Sequence, residues 1–512
     1  MPRHSRFLEA LEGGLIVSCQ PVDDGPMDNV ATIVAFAKAA RDAGARALRI
    51  EGADNVAATV AACDLPVIGI VKRDLADSAV RITPLLEDVA ALADAGATVI
   101  AVDGTDRPRP VPVAALLEAI HARGCLAMAD LSNETEAIAA RQLGFDILGT
   151  TMSGYTGGEI PTHPDLDFVA ACRRLGGAVV AEGRYNAPPL AAQAIEAGAT
   201  AVCVGSAITR TEHVTQWFRA AVEGAVHKRD ATVLALDVGG SKTLAALVRD
   251  GTILERRTVP TLQGVGSDDW FATLAALGQD WRGQFAAVGA AVTGIVEDGT
   301  WSALNPRTLA IPPRTPLVAR LRTLFGVPAA ALNDAQAAAW GEYSRGAGRG
   351  LDMVFVTVSS GIGGGIVLNG KLLAGARGLA GSLGQTLGAA GHERLENRAS
   401  GFALSAAAQA IGEAPDTRAV FAALEAGQPW AVALVERVVD ELAVALLDLQ
   451  RLLDPQRVVL GGGIGLLTPF RERLQARLSS EPELMRPSIR PAALGSDAGI
   501  VGIADHAAAS AS

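Results

Sequence analysis

No cysteine follows position 203, and the five that precede it (Cys19, Cys63, Cys125, Cys172 and Cys203) lack the paired spacing of a metal knuckle. A disulfide framework is excluded, and the five read as reduced core thiols of a cytoplasmic protein. Charge is scarce too: charged residues make up 19 % of the chain, the formal net charge is −11, and no dense Lys/Arg run occurs. That excludes the basic face a nucleic-acid partner needs. Aromatics reach only 4 %. The N-terminal "MPRHSRFLEALEGG" has no apolar core long enough for a signal peptide. The one uncharged run resembling a membrane span, 353–370, holds five glycines, so it reads as two short strands around a turn. The expectation is a soluble protein with no membrane partner.

What is abundant is glycine, at 56 residues, within a 49 % apolar chain of 512 residues. At roughly 150 residues per domain, this suggests an α/β protein of two large domains. A helix closed by glycine and followed at once by an apolar strand recurs: "DAGARALRIEG" (42–52), "DAGATVIAVDG" (94–104), "QLGFDILGTTMSG" (142–154) and "EAGATAVCVGS" (196–206). With "GLIVSCQ", "VIGIVKR", "CLAMADL" and "AVVAEGR" the strands number eight, which predicts an N-terminal (β/α)8 barrel. In that fold the chemistry sits at the C-terminal strand ends, where Gln20, Arg49, Lys72, Asp103, Asp130, Glu182, Gly205 and Ser206 fall.

Lys72 and Glu182 end strands three and seven, facing each other across the barrel mouth. A buried lysine loses its proton readily and a buried carboxyl keeps its own, so the two suit removal of a proton beside a carbonyl and its return on the other face. An ion pair closing the mouth is the plainer reading. Gly183, Gly205 and Ser206 offer backbone amides to a phosphate, or simply form tight turns.

The motifs "GGLIVSCQP", "RIEG", "IGIVKRDL", "VRITP", "DGTDRPRP", "GTTMSGYT", "AEGRYN" and "VGSAITR", in that order over roughly residues 8–225, resemble the N-acetylmannosamine-6-phosphate 2-epimerases. The resemblance implies cofactor-free exchange of N-acetylmannosamine 6-phosphate and N-acetylglucosamine 6-phosphate at C2. It makes Lys72 and Glu182 the acid/base pair; the residues read Lys72 as the base for the C2 proton, with the division of the two faces between the pair open. Gln20, Arg49, Asp130 and Arg210 become substrate contacts, with Gly183, Gly205 and Ser206 near the phosphate.

Near residue 230 the pattern changes, giving domains at 1–229 and 230–512. "TVLALDVGGSKTLAALVRDGTILERR" reads as three strands joined by tight turns. Its "LDVGGSK" puts Asp237, Gly239, Gly240, Ser241 and Lys242 on one turn. Such a turn can cradle phosphate oxygens and hold Mg²⁺ through water, or be only a hairpin bend. "SSGIGGGIV" (Gly361, Gly363, Gly364, Gly365) and "VLGGGIG" (Gly461, Gly462, Gly463) add two more glycine-rich strand ends. None has P-loop spacing, so a different nucleotide-binding architecture is expected. In "NDAQAAAW", Asn333 and Asp334 stand before an Ala-rich helix, as caps or, for Asp334, as the base for a sugar hydroxyl.

These features, over about 232–505, are similar to the ROK sugar kinases, and "NDAQAAAW" with "GGIVLNGKLLAG" looks most like the bacterial N-acetylmannosamine kinases. The resemblance implies a two-lobed actin-like (ribonuclease-H-like) fold, ATP with Mg²⁺, Asp334 as base, and Asn305, Asn333 and Glu396 as sugar contacts. There is one departure. Where that family has a histidine and a cysteine cluster for structural zinc, this chain reads "AGSLGQTLGAAGHERLE", with Ser382 and Gln385 at the matching places. No Cys/His zinc site can be built there, and Gln385 stands to replace the histidine's contact with the sugar.

The two halves predict consecutive steps of amino-sugar (sialic acid) catabolism in one bifunctional isomerase and transferase, acting on small amino sugars and their phosphates. Family resemblance implies a homo-oligomer. One alternative gives the kinase another sugar. A second makes the C-terminal half a sugar-sensing module, as in ROK repressors, although a barrel stands where their DNA-binding helices would be.

Overall fold

The computed structural model describes residues 3–240, 242–262, 264–303, 311–387 and 393–510. The chain forms two compact units, Met1–Ala220 and Ala221–Ser512, the boundary falling within the helix Thr211–Asp230.

In the first unit the strands β1 (Gly14–Ser18), β2 (Ala47–Glu51), β3 (Val67–Ile70), β4 (Val99–Asp103), β5 (Leu126–Asp130), β6 (Ile147–Gly149), β7 (Ala178–Glu182) and β8 (Ala201–Val204) close into a parallel barrel. The expected eight-stranded barrel is present. The repeat glycines Gly44, Gly96, Gly144 and Gly198 all have φ between 91° and 103°. A side chain is disfavoured there, so each glycine ends its helix and turns the chain into the next strand.

Alternation along each strand splits the apolar residues into two layers. Val17, Leu48, Val67, Ile100, Ala127, Leu148, Val179 and Val202 pack outward in the cluster beneath the helices. Ile16, Ala47, Ile68, Ile70, Val99, Ala101, Met128, Ile147, Val180 and Cys203 fill the interior, joined by Phe7 and Leu11. All five cysteines are free and buried.

The second unit contains two five-stranded sheets. The first has the order β11-β10-β9-β12-β15, from β9 (Thr232–Val238), β10 (Lys242–Arg249), β11 (Thr252–Pro260), β12 (Ala287–Val292) and β15 (Ala329–Asn333). The strands β13 (Ile295–Glu297) and β14 (Thr300–Ser302) make a separate hairpin. The other sheet, β18-β17-β16-β19-β20, is built from β16 (Met353–Val358), β17 (Ile362–Leu368), β18 (Lys371–Leu372), β19 (Arg457–Gly461) and β20 (Ile489–Pro491). The uncharged run 353–370 is thus two antiparallel strands, β16 and β17, as its glycines predicted. No helix among the described residues is long and apolar enough to cross a membrane.

Helices Asp334–Ser344 and Ala498–Ala508 join the sheets. Ala337, Ile500 and Ile503 pack on the first, and Ala338, Ala339 and Ala498 on the second. The helices cross at glycine, where a Cβ on Gly502 would sit 1.8 Å from the Ala337 carbonyl oxygen and one on Gly341 2.3 Å from that of Ala498. Backbone cannot yield as a side-chain tip can. Gly502→Ala is therefore expected to destabilise this unit by about 3 kcal/mol, at the upper end of overpacking costs. Urea unfolding followed by tryptophan fluorescence measures it.

Candidate active sites

The inward alternation of the barrel strands continues past the apolar interior. The next inward positions are Ser18, Arg49, Lys72, Asp130 and Glu182, one turn of the pleat beyond Ile16, Ala47, Ile70, Met128 and Val180. Ser18, Gln20, Arg49, Lys72, Glu182, Gly183, Gly205, Ser206 and Arg210 line one cavity of about 310 Å³ at the C-terminal ends of the strands. Asp130 lies beneath it, fully buried. The expected residues converge, except Asp103, whose carboxylate is taken up by Thr105, Arg107 and Arg109 of its own loop.

Arg49, only 1 % exposed, makes a bidentate pair with Asp130 (Nη2 to Oδ2 2.6 Å, Nη1 to Oδ1 3.3 Å), and its Nη1 lies 3.1 Å from Glu182 Oε2. Burial works against the guanidinium charge, yet the two carboxylates outweigh it and keep the Arg49 pKa raised. Burial pushes the Glu182 carboxyl above the usual carboxylate range, with Arg49 opposing and Asp130 reinforcing. The register sets Cys203 beside Glu182, and burial holds that thiol well above its ordinary value.

Lys72 does not pair with Glu182. Its Nζ lies 2.5 Å from Glu51 Oε2, at the end of β2, and its side chain keeps 18 % of its surface exposed. Glu51 was legible in the "RIEG" motif, because it shares Arg49's parity, two residues further toward the mouth. Thr151, likewise two residues past Gly149, donates to Asp130 Oδ1 at 2.6 Å and lies 3.2 Å from Glu182 Oε2. At the rim, Gln20 donates to Ser18 Oγ and accepts from Arg210 Nε through its carbonyl, which fixes Arg210 over the cavity. Gly183 takes a φ of +110°, and Gly205 and Ser206 open the short helix Ser206–Thr209. Tyr155 and Arg184 also line the cavity, the guanidinium stacked on the ring at 5.4 Å.

In the second unit, parallel pairing aligns Asp237 of β9 with Ala291 of β12, and Val292 with Asn333 of β15. Asp237, near the end of β9, and Asp334, just past β15, are thereby brought to the same end of the sheet on either side of β12. Burial pushes Asp334 up to about 7, with Asp237's charge adding to the rise. Burial pushes Asp237 up to about 6, against the pull of Lys242. Capping belongs mainly to Asn333, whose Oδ1 accepts from Ala335 and Gln336 N–H while its Nδ2 donates to the Gly294 carbonyl. Asp334 Oδ1 accepts from Ala335 N–H.

Gly239 and Gly240 lie in the β9–β10 turn, closed by Gly239 N–H to the Lys242 carbonyl. Ser241 and Asn305 lie outside the described residues. Gly361 is in the β16–β17 turn. Gly363, Gly364 and Gly365 are within β17, where a Cβ on Gly363 would meet Ala335 at 2.9 Å and one on Gly365 would meet Ala339 at 2.5 Å, so the bareness of these two serves close helix packing, while one on Gly364 would meet the Gly381 carbonyl oxygen at 2.6 Å. Gly461 ends β19 and Gly462 and Gly463 follow it, with Ile464 N–H bonded to the Val358 carbonyl.

Glu396, on the short helix Leu395–Ala399, accepts from Ile362 N–H at 3.2 Å and so reaches the same turn. The residues on either side of 388–392 are joined by a bridge between Leu387 and Arg394 and by Leu395 N–H to the Thr386 carbonyl, and Leu383 and Leu395 lie in the core. Ser382 precedes the turn Leu383–Gln385 and Gln385, half-buried, is its last residue. Among the described residues no cluster of His, Cys, Asp and Glu could hold a metal ion.

Comparison with known proteins gives a consistent picture. The NanE family model, described as "Putative N-acetylmannosamine-6-phosphate epimerase", matches residues 33–224, and the ROK family model matches 233–509. The bifunctional enzyme NanE/NanK of Brucella melitensis biotype 1 is 57 % identical over 505 residues, covering 98 % of this chain and 97 % of the relative. That of Brucella suis biovar 1 is also 57 % identical, over 98 % of this chain and 96 % of its own. Among solved structures, the N-acetylmannosamine-6-phosphate 2-epimerase of Clostridium perfringens has 37 % identity and a TM-score of 0.42, covering 43 % of this chain and 98 % of its own. With both family models matched in order and the likeness running the length of both chains, this chain belongs to the bifunctional NanE/NanK family.

Proposed function

We propose that the chain phosphorylates N-acetylmannosamine at its 6-hydroxyl with ATP and epimerises the product at C2 to N-acetylglucosamine 6-phosphate, with 1–229 and 230–512 as the two enzymes. The observation that carries this reading is that each unit separately holds the groups its reaction needs. Lys72 and Glu182 face one cavity, and Asp334 stands beside Asp237 at aligned strand ends.

In the barrel, Lys72 takes the C2 proton and Glu182 returns one to the opposite face. Glu51 is placed to accept the ammonium proton that Lys72 must shed first. Arg49, Asp130, Gln20 and Arg210 hold the sugar phosphate, with the amides of Gly183, Gly205 and Ser206 at the phosphate. In the kinase, Asp334 accepts the sugar hydroxyl's proton, and Asn333, Asn305 and Glu396 bind the sugar. The turns at 237–242 and 461–463 and the β16–β17 turn at Gly361 bind the nucleotide. The fit to Mg²⁺ is the buried Asp237 carboxylate, opposed by Lys242 alone. Bound there, the ion would supply charge neutralisation at the phosphates. Leu383 and Leu395 packing in place of zinc lets Gln385 face the sugar. The partners are small amino sugars, and the setting is cytoplasmic.

The test is proton NMR of the purified chain in D2O with N-acetylmannosamine, ATP and Mg²⁺. The expected product is N-acetylglucosamine 6-phosphate deuterated at C2. Absence of any phosphorylated sugar refutes the kinase substrate and turns the test to a sugar panel at fixed ATP.

A further inference from the structure

Thr151 Oγ1 touches two carboxyl groups, Asp130 at 2.6 Å and Glu182 at 3.2 Å. A threonine hydroxyl carries a single proton, so it donates one hydrogen bond and must accept the other. The shorter contact goes to Asp130, which also takes both guanidinium nitrogens of Arg49 and is the more firmly held anion of the two. The hydroxyl proton therefore belongs to Asp130. The contact to Glu182 is a hydrogen bond only if Glu182 supplies the proton as a carboxylic acid.

From this one-proton count we propose that Thr151 is a positioning residue of the epimerase, whose hydroxyl accepts from protonated Glu182 while donating to Asp130. This fixes Glu182 as the proton donor and leaves Lys72 the acceptor in the direction from N-acetylmannosamine 6-phosphate. The inference rests on the reading of Lys72 and Glu182 as the acid/base pair. Burial of the Glu182 carboxyl acts in the same sense. The polar chain runs from Glu182 through Thr151 to Asp130 and Arg49, and is inward-facing throughout. The segment after β6 thus supplies no acid or base of its own, yet orders the acid of β7 through its bond to Asp130 of β5.

The groups facing Glu182 are Arg49 from β2, Asp130 from β5, Thr151 after β6 and Cys203 from β8. Arg49 and Cys203 keep their protons through the neutral range, the first held by the Asp130 carboxylate and the second by burial. The Lys72–Glu51 pair is common to every variant below except Lys72→Ala.

The experiment compares Thr151→Val and Thr151→Ser in the full chain, with kcat and KM for epimerisation followed against pH. Kinase activity of the same preparations and thermal unfolding of the barrel serve as fold controls. Valine keeps the shape and removes the acceptor, so the acid form of Glu182 loses its partner. The expected result for Thr151→Val is a kcat lower by about tenfold, KM within about threefold, and one limb of the kcat profile moved down by about one pH unit. Serine is expected to restore both.

A limb that moves up would mean that Thr151 donates to an ionised Glu182. That outcome, an unchanged profile, or serine behaving as valine each overturns the proposal. Glu182→Gln and Lys72→Ala separate the levels: if either turns over at the wild-type rate, the acid/base reading itself fails. If both are inactive while Thr151→Val matches wild type, only the Thr151 inference falls.

Discussion

Lys72→Ala in the full chain is expected to abolish epimerisation, by about 10⁴-fold in kcat, while leaving N-acetylmannosamine phosphorylation unchanged. Unlabelled N-acetylmannosamine 6-phosphate then accumulates in the D2O assay, and no C2 deuterium appears. The size of the loss follows from the cavity. Glu51 lies beside Lys72 but ends one strand away, and the remaining carboxylates, Asp130 and Glu182, are engaged with Arg49. Wash-in of deuterium at C2 by the variant would show instead that another group is the base. The intact kinase reaction, run by the other unit of the same chain, separates a chemical loss from misfolding.

Asp334→Asn is expected to lower kinase turnover by about 10³-fold with the epimerase unaffected. Asparagine keeps an acceptor for Ala335 N–H, so the helix start is preserved and only the proton acceptor is lost. The wild-type kinase carries a matching pH signature. Burial and the neighbouring Asp237 push Asp334 up to about 7. A base works only when ionised, so turnover is full above about pH 7 and falls as pH drops through it. Initial rates by a phosphate-independent sugar assay between pH 5 and 9 give the curve. A rate flat down to pH 5 would remove Asp334 as the base.

Much of this was legible in the chain. The repeat of glycine-closed helix and apolar strand announced the barrel because glycine alone takes the left-handed turn comfortably, and Gly44, Gly96, Gly144 and Gly198 all do so. Period-two alternation carried Lys72, Arg49, Asp130 and Glu182 to the mouth. The glycines of β17 show where such reading stops short. "SSGIGGGIV" reads as a phosphate loop, but Gly363 and Gly365 are bare against Ala335 and Ala339 of the helix that begins with Asp334. A Gly-rich run has the same spelling whether its missing Cβ makes room for a phosphate or for a helix.

The sequence by itself determined the two-part architecture, the order of the strands and which residues stand at their ends, since these follow from local periodicity and turn chemistry. Only the tertiary structure decided the partners: Lys72 with Glu51 rather than Glu182, Arg49 between two carboxylates, Thr151 bridging Asp130 and Glu182, and Asp237 beside Asp334. Each of those pairs joins residues from different strands. Its distance is set by barrel closure and sheet register, which no local stretch of chain encodes.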